Sequence, residues 1–127
     1  MLCGLVVLLL PLSCSSDEWL EGECRSVVDG DSLYLEGFDA QVRLWGVDAP
    51  ERDEPGYDRA KQRLNRLAYR QQLQCKRMDI DRYGRTVARC FVGTGEQRVD
   101  INAALIASGV AREYCHFTDN FYGTCRD

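Results

Sequence analysis

Apolar side chains alternate with other residues over 33–35 and again over 42–44, with leucine or valine at every second position. An alternation of period two predicts strands that bury one face, and Gly37 between the two stretches is typical of a turn. Arg43 occupies the middle of the second stretch, so its side chain is predicted to point away from the buried face. The pattern therefore predicts a hairpin that presents one arginine on its outer side.

Two further strands are predicted over 73–79 and 86–92, on either side of the sequence DRYGR at 81–85. A hairpin that turns within DRYGR would place Cys75 and Cys90 opposite each other on neighbouring strands. We therefore expect a disulfide between these two cysteines.

Helical spacing of apolar residues predicts two helices. The first is capped by Asp58 and runs to about Gln72. Its apolar stripe consists of Ala60, Leu64, Leu67 and Ala68. The second helix is short, is capped by Asp100 or Asn102, and runs through Ala107.

The first sixteen residues differ from the rest, because they are nearly all apolar and contain LVVLLLPL. This run is too short to span a bilayer and is typical of a signal peptide. Cleavage before Cys14, as in a bacterial lipoprotein, and cleavage after Ser16 by an ordinary signal peptidase are the two alternatives. We therefore expect a signal peptide over 1–16, a folded domain over 17–127, and a location outside the cytoplasm. That location is secreted, periplasmic or, through a lipid on Cys14, anchored to the bacterial envelope.

The remaining cysteines also suit an exported protein. Cys115 and Cys125 enclose a short loop rich in turn-forming residues, so a second disulfide is predicted there. Cys24 has no predicted partner. Buried reduced thiols are the alternative, and metal binding by cysteines is not expected because the chain has no CxxC pair.

Charge is distributed unevenly along the chain, whose formal net charge is −4. Residues 17–58 carry three basic and thirteen acidic side chains, whereas residues 59–89 carry ten basic and two acidic ones. The net charge argues against indiscriminate binding of nucleic acid, but the basic half could still hold a polyanion. The arginines of the first predicted helix form a stripe, for which a solvated face is favoured over contact with substrate: Arg59, Arg63, Arg66 and Arg70.

The stretch from Asp29 to Glu51 is rich in carboxylates and also contains Asp31 and Asp48, with Arg43 between these two. Carboxylates that are brought together repel one another unless a cation or a guanidinium lies between them. Ligands with oxygen donors alone suit a hard cation, and a hard cation beside an arginine suits phosphate chemistry. The alternative is a hairpin whose acidic turns simply face water.

Three motifs together, VVDGDS, VRLWGVDAPE and DRYGR, resemble in that order the staphylococcal nuclease (thermonuclease) family. The resemblance extends from about Cys24 to Ala111. It implies a mainly β fold with helices (α+β), namely a five-stranded Greek-key oligonucleotide-binding (OB-fold) barrel with one inserted helix and a short following helix.

The resemblance also implies roles for individual residues. The ligands of a calcium ion would be Asp31, Asp48 and the backbone carbonyl of Ala49. The catalytic residues would be Arg43, Glu51 and Arg85. Contacts to the substrate would come from Tyr83 and Tyr114, and for Tyr114 and its neighbour Phe117 a packing role is an equal alternative.

The function implied is that of an exported, calcium-dependent nuclease. It would hydrolyse phosphodiester bonds in DNA and RNA at single-stranded or frayed sites. The alternative is a non-catalytic nucleic-acid-binding module of the same family, which the presence of all three catalytic residue types disfavours. No obligate protein partner is expected, the chain is expected to be a monomer, and membrane contact is expected only through a lipid on Cys14.

Overall fold

The computed structural model describes residues 18–126. The predicted signal peptide over 1–16, with Cys3 and Cys14, lies outside these residues. The strands are β1 (Trp19–Asp29), β2 (Ser32–Leu35), β3 (Val42–Leu44), β4 (Val47–Asp48), β5 (Gln72–Ile80), β6 (Thr86–Val92), β7 (Val99–Asp100) and β8 (Arg112–Glu113). The helices are α1 (Tyr57–Ala68), α2 (Ile101–Ala107) and α3 (Cys115–Thr118).

Five of the strands close into a barrel. Their order is β3-β2-β1-β5-β6, with antiparallel neighbours, and a parallel pairing of β3 with β6 closes the ring. This arrangement confirms the predicted α+β fold with a five-stranded OB-like barrel. β7 extends β6, while β4 and β8 form a separate two-stranded sheet.

The interior of the barrel follows the alternation of the sequence. The leucine and valine side chains of β2 and β3 are fully buried, and Arg43 between them is only half-buried on the opposite face. Gly37 adopts a positive φ of 91° between the two strands, as the predicted turn requires. The prediction of an inner apolar face with an outer arginine is confirmed.

The predicted limits of the first helix are wrong. α1 begins at Tyr57 with Gly56 as its N-cap instead of Asp58, and it ends at Ala68 instead of near Gln72. Gln72 belongs to β5, where it pairs with β1, so sheet pairing ends the helix a turn early. The predicted apolar stripe of this helix does face the core.

The second predicted helix is confirmed as α2. Its N-cap is Asp100, whose side chain accepts a hydrogen bond of 3.0 Å from the backbone N–H of Ala103. The other candidate cap, Asn102, is buried and bonds instead to the backbone of β6 and of the β3–β4 turn. α3 was not predicted.

Both predicted disulfides are present. Cys75 and Cys90 are direct partners across β5 and β6, with a Cα–Cα distance of 4.0 Å. Cys115 and Cys125 join across the C-terminal loop with a Cα–Cα distance of 5.9 Å. Cys24 is a free buried cysteine, and burial raises the pKa of its thiol to about 11, so it stays protonated at neutral pH.

No helix within residues 18–126 has the length and apolar character needed to cross a membrane.

Candidate active site

Arg43 is fixed by the backbone that follows it. Its Nη1 donates hydrogen bonds of 2.7 Å to the carbonyl oxygens of Leu44 and Val47. Its Nη2 lies 3.5 Å from Oδ2 of Asp31. These contacts orient the guanidinium plane and tie β3 to β4.

Asp31 lies at the end of the turn between β1 and β2. Its Oδ2 accepts a hydrogen bond of 3.1 Å from the backbone N–H of Ala49, which brings the residues after β4 against this turn. Burial raises the pKa of Asp31 to about 7, with the nearby Asp29 carboxylate adding to it and with Arg43 and the Ala49 N–H opposing it. The side chain is only 14% exposed, so the loss of hydration outweighs the stabilisation of its charge by Arg43 and the Ala49 N–H.

Asp29 organises the same turn. Its Oδ1 accepts hydrogen bonds from Ser32 Oγ at 2.6 Å and from the backbone N–H of Asp31 at 3.4 Å. Gly30, in the middle of this turn, does not adopt a positive φ. A Cβ at Gly30 would instead lie 2.7 Å from Ala60 Cβ and 2.8 Å from Ala49 Cβ, so close packing requires glycine.

Asp48, Ala49 and Glu51 line one surface depression beside the β4–β8 sheet. Asp48 is exposed and pairs through its backbone with Arg112 of β8. Glu51 is exposed, and its backbone N–H donates a hydrogen bond of 2.7 Å to Glu54 Oε1. Within the described part of the chain, the Glu51 carboxylate has no hydrogen-bond partner, so it is free to act on a bound molecule.

Arg85 lies at the start of β6 and is oriented by Asp81. Its Nε donates a hydrogen bond of 2.7 Å to Asp81 Oδ2. Asp81 Oδ1 accepts hydrogen bonds of 2.9 Å from the backbone N–H groups of Tyr83 and Arg85. Burial opposes ionisation of Asp81, but these bonds outweigh it and lower its pKa. The carboxylate thus fixes both the turn and the arginine, and neither Nη group of Arg85 has a hydrogen-bond partner within residues 18–126.

The parallel pairing of β3 with β6 brings the two arginines together. Arg43 is the register partner of Val87, which shares a strand face with Arg85. The side chains of Arg43, Arg85 and Val87 line one cleft of about 550 Å³. The predicted substrate residues Tyr83 and Tyr114 line it as well.

The aromatic residues give this cleft two unlike sides. Tyr83 is 69% exposed at the tip of the β5–β6 hairpin, and the guanidinium carbons of Arg82 and Arg85 lie 5.1 and 5.6 Å from its ring centroid. Tyr114 packs edge-to-face against Phe117, with ring centroids 4.7 Å apart. Phe117 lines the cleft too, so it contributes to the wall as well as to packing.

The predicted site residues therefore fall into two groups. Arg43, Arg85 and the two tyrosines share the cleft, whereas Asp48, Ala49 and Glu51 share the second depression. Asp31 connects the groups, because its carboxylate contacts both Arg43 and the backbone N–H of Ala49.

Sequence reasoning missed three residues of the site region. Asp81 could have been found, since an aspartate opening a turn commonly bonds to backbone N–H groups within it. Trp45, which lines the cleft, and Glu113, which organises the C-terminal loop, have no signal in the local pattern.

Glu113 also lies near the sulfurs of Cys115 and Cys125. These two cysteines are joined in a disulfide, so they offer no thiolates and the three residues are not a metal site.

Comparison with known proteins agrees with the geometry. A family model described as "Staphylococcal nuclease homologue" matches residues 41–124. A micrococcal nuclease of Shigella flexneri is 33% identical over 119 residues, which cover 88% of this chain and 67% of that protein. Protein ParB of Escherichia coli is 31% identical over 128 residues, covering 94% of this chain and 70% of that protein.

A thermonuclease of Staphylococcus intermedius is 34% identical over 98 residues, covering 69% of this chain and 56% of that protein. The chain thus spans about two thirds of the length of the first two relatives, and somewhat less of the third. With a family match over most of its length and relatives above 30% identity, the chain belongs to the staphylococcal nuclease family.

Proposed function

We propose that this chain is a calcium-dependent nuclease that hydrolyses phosphodiester bonds in DNA and RNA at single-stranded or frayed sites. The observation that carries the proposal is the cleft that Arg43 and Arg85 both line, with the half-buried Asp31 carboxylate beside Arg43. The nuclease names among its relatives support the same reaction class.

The donor set of the site fits Ca²⁺. Asp31 and Asp48 offer carboxylate oxygens and Ala49 offers a backbone carbonyl, and hard cations prefer such ligands. The raised pKa of Asp31 indicates a carboxylate whose charge the protein alone does not fully compensate. Bound there, Ca²⁺ would polarise a phosphate oxygen and neutralise negative charge.

The two arginines hold the phosphate. Each is anchored through only part of its guanidinium, Arg43 mainly through Nη1 and Arg85 through Nε. Their remaining N–H groups bind phosphate oxygens and stabilise the charge that grows in the pentacoordinate transition state. Because both guanidiniums are held before the substrate arrives, little reorganisation accompanies the reaction.

Glu51 positions the attacking water and accepts its proton. Its carboxylate is exposed and has no competing hydrogen bond from residues 18–126, as a group that must reach a water molecule requires. Tyr83 and Tyr114 contact the nucleotides on either side of the reacting phosphate, where their rings offer stacking surfaces.

Export of the chain is part of the proposal. Two disulfides in so small a domain suit an oxidising compartment, and the apolar segment over 1–16 suits a signal peptide. N-terminal sequencing of the protein recovered from an expressing bacterium would distinguish cleavage before Cys14 from cleavage after Ser16. A chain that still begins at Met1 in the cytoplasm would contradict export.

The second candidate is a non-catalytic binding module of the same family. It predicts binding of nucleic acid without cleavage by any metal, and an effect of Glu51→Gln on affinity alone. The exposed Glu51 carboxylate, which has no hydrogen-bond partner within residues 18–126, favours the enzyme.

The deciding experiment is digestion of a labelled single-stranded DNA oligonucleotide by the purified chain, with millimolar Ca²⁺ and with a chelator. We expect cleavage with Ca²⁺ alone, a loss of about 100-fold or more in Glu51→Gln, and normal activity in the exposed control Glu36→Gln. An intact oligonucleotide in Ca²⁺, with binding retained, would establish the module instead.

A further inference from the structure

A second set of aromatic and arginine side chains extends from the cleft across the outside of the barrel. We name it the aromatic–arginine track, and in spatial order it consists of Trp45, Phe121, Arg89, Phe91, Arg98 and Trp19. Trp45 lines the cleft itself, so the track begins at the candidate active site. The resemblance that identifies the catalytic residues assigns no role to it.

The half of the track nearest the cleft runs from the β3–β4 turn to β6. Trp45 meets Phe121 of the C-terminal loop edge-to-face, with ring centroids 5.4 Å apart. The Arg89 guanidinium lies 4.8 Å from the Phe121 centroid and 5.2 Å from the Phe91 centroid. One arginine thus lies between two aromatic rings.

The far half repeats this arrangement. The Arg98 guanidinium lies 4.0 Å from the Phe91 centroid and 5.8 Å from that of Trp19. The Trp19 and Phe91 rings are themselves 6.2 Å apart. Every neighbouring pair along the track is therefore close enough for stacking or cation–π contact.

Strand register explains why the track lies on the outer face. Cys75 and Cys90 point inwards to their disulfide, so the residues beside them, Lys76 and Arg89, point outwards. Lys76 is the register partner of both Arg89 and Trp19, which places a further cation beside the track.

Exposure and charge both suit a ligand with bases and phosphates. Phe121 is 54% exposed and Trp19 is 40% exposed, although large aromatic side chains are normally covered. Both carboxylate oxygens of Asp100 already have partners, because one pairs with Arg89 at 3.3 Å and the other caps α2. Arg98 has no ion pair within residues 18–126, and Glu21 lies in the same shallow depression as Arg98 and Trp19.

We propose that the aromatic–arginine track is an accessory binding surface for single-stranded nucleic acid, continuous with the catalytic cleft. Exposed rings provide stacking surfaces for bases of any sequence, while Arg98 and Lys76 contact phosphates. A strand held in the cleft would continue past Trp45 onto Phe121 and then towards Trp19. The inference rests on the proposed nucleic-acid substrate and adds that longer strands bind more tightly than short ones.

The test compares two labelled oligothymidylates, of 4 and 16 nucleotides, by fluorescence anisotropy in chelator, so that no hydrolysis occurs. The measured quantity is the ratio of the two affinities. Phe121→Ala should lower this ratio at least about fivefold, the lower end of what loss of one stacked base costs. Arg98→Gln should reduce the salt slope for the longer strand by about 0.7, the value for one lost phosphate contact on a single strand.

Matched controls lie elsewhere on the surface. Arg25 stacks 4.7 Å from the Tyr34 centroid and Tyr69 is as exposed as Trp19, but neither belongs to the track. Arg25→Gln and Tyr69→Ala should leave both the ratio and the salt slope at wild-type values. Circular dichroism and the melting temperature check that each variant is folded.

The possible outcomes separate this inference from the proposed function. An unchanged affinity ratio in both track variants would overturn the inference. Variants that lower the melting temperature but leave the ratio unchanged would show that the contacts serve internal packing. Equal affinity of the wild type for the two lengths would also overturn it. If the wild type cleaves nothing in Ca²⁺ but the track variants still lower the ratio, the inference stands and the proposed catalysis fails.

Discussion

Glu113 should be the residue on which the C-terminal loop depends most. Its side chain is buried, with the residue 6% exposed, and each of its two oxygens accepts two hydrogen bonds. One oxygen accepts hydrogen bonds from the Thr118 hydroxyl and the Tyr122 N–H. The other accepts hydrogen bonds from the N–H and the hydroxyl of Thr124. We therefore consider Glu113→Gln, which keeps the size of the side chain and removes the charge.

The size of the expected destabilisation follows from the groups that donate hydrogen bonds to Glu113. Glutamine turns one acceptor oxygen into an NH₂ group, so either the Tyr122 N–H or the Thr124 N–H must face another donor. Loss of a hydrogen bond to a charged group costs about 1.5–3 kcal/mol, and an unsatisfied buried N–H costs about 1–3 kcal/mol. These costs overlap, so we expect a loss of about 3 kcal/mol in the free energy of unfolding. That corresponds to a decrease of about 12 °C in Tm for a domain of this size.

The stability difference between the wild type and Glu113→Gln should depend on pH. Burial alone would raise the pKa of Glu113, but the hydrogen bonds from Thr118, Tyr122 and Thr124 outweigh burial and lower the pKa to about 2, from an ordinary value of 4.5. A carboxylate with a lowered folded-state pKa stabilises the protein above pH 4.5, and this contribution is lost as the pH falls towards 2. The wild type should therefore lose its advantage over Glu113→Gln in acid.

Thermal unfolding followed by circular dichroism at pH 7 and pH 2.5 measures both effects, with the exposed Glu36→Gln as the control. A Tm within about 2 °C of the wild type at pH 7 would refute the reasoning. So would a difference between Glu113→Gln and the wild type that is the same at both pH values.

Three further predictions concern the candidate site and the arginine stripe of α1. Arg43→Lys and Arg85→Lys keep the charge but lose the planar fork, so each should lower kcat about 100-fold in DNA cleavage assays while the far-ultraviolet circular dichroism stays unchanged. Asp31→Ala should lower activity through loss of a cation ligand, and a calcium titration should recover part of it, whereas recovery by Mg²⁺ would contradict the loose oxygen site proposed here. Arg63→Gln with Arg66→Gln should reduce the salt slope of binding by about 1 for each lost phosphate contact, and an unchanged slope would assign this stripe to a solvated face.

Local pattern was sufficient for four of the five strands of the barrel, all except β1, and for one disulfide. The alternation over 33–35 and 42–44 determined which side chains are buried and which face Arg43 occupies. Symmetry about DRYGR was enough to pair Cys75 with Cys90, because a hairpin places equidistant residues opposite each other. These features depend on neighbours along one hairpin, which the sequence records directly.

The helix limits required tertiary structure. Asp58 is a good capping residue and the helical pattern continues beyond Ala68, but β5 pairs with β1 from Gln72 onwards. The hydrogen bonds of the sheet outweigh a weak helical preference over the last turn. Gly30 is a similar case, since its need for glycine comes from Ala49 and Ala60, which are distant in sequence.

The sequence by itself thus determined four strands of the barrel, the buried faces of β2 and β3, and the motifs that carry the candidate chemistry. Only the tertiary structure decided that Arg43 lies beside the strand face of Arg85, because this depends on the parallel closure of β3 onto β6. It also decided that Glu113 gathers donors up to eleven residues away, and that Trp45 connects the cleft to an aromatic surface. Each of these contacts joins segments whose meeting depends on how the barrel closes, which no local periodicity encodes.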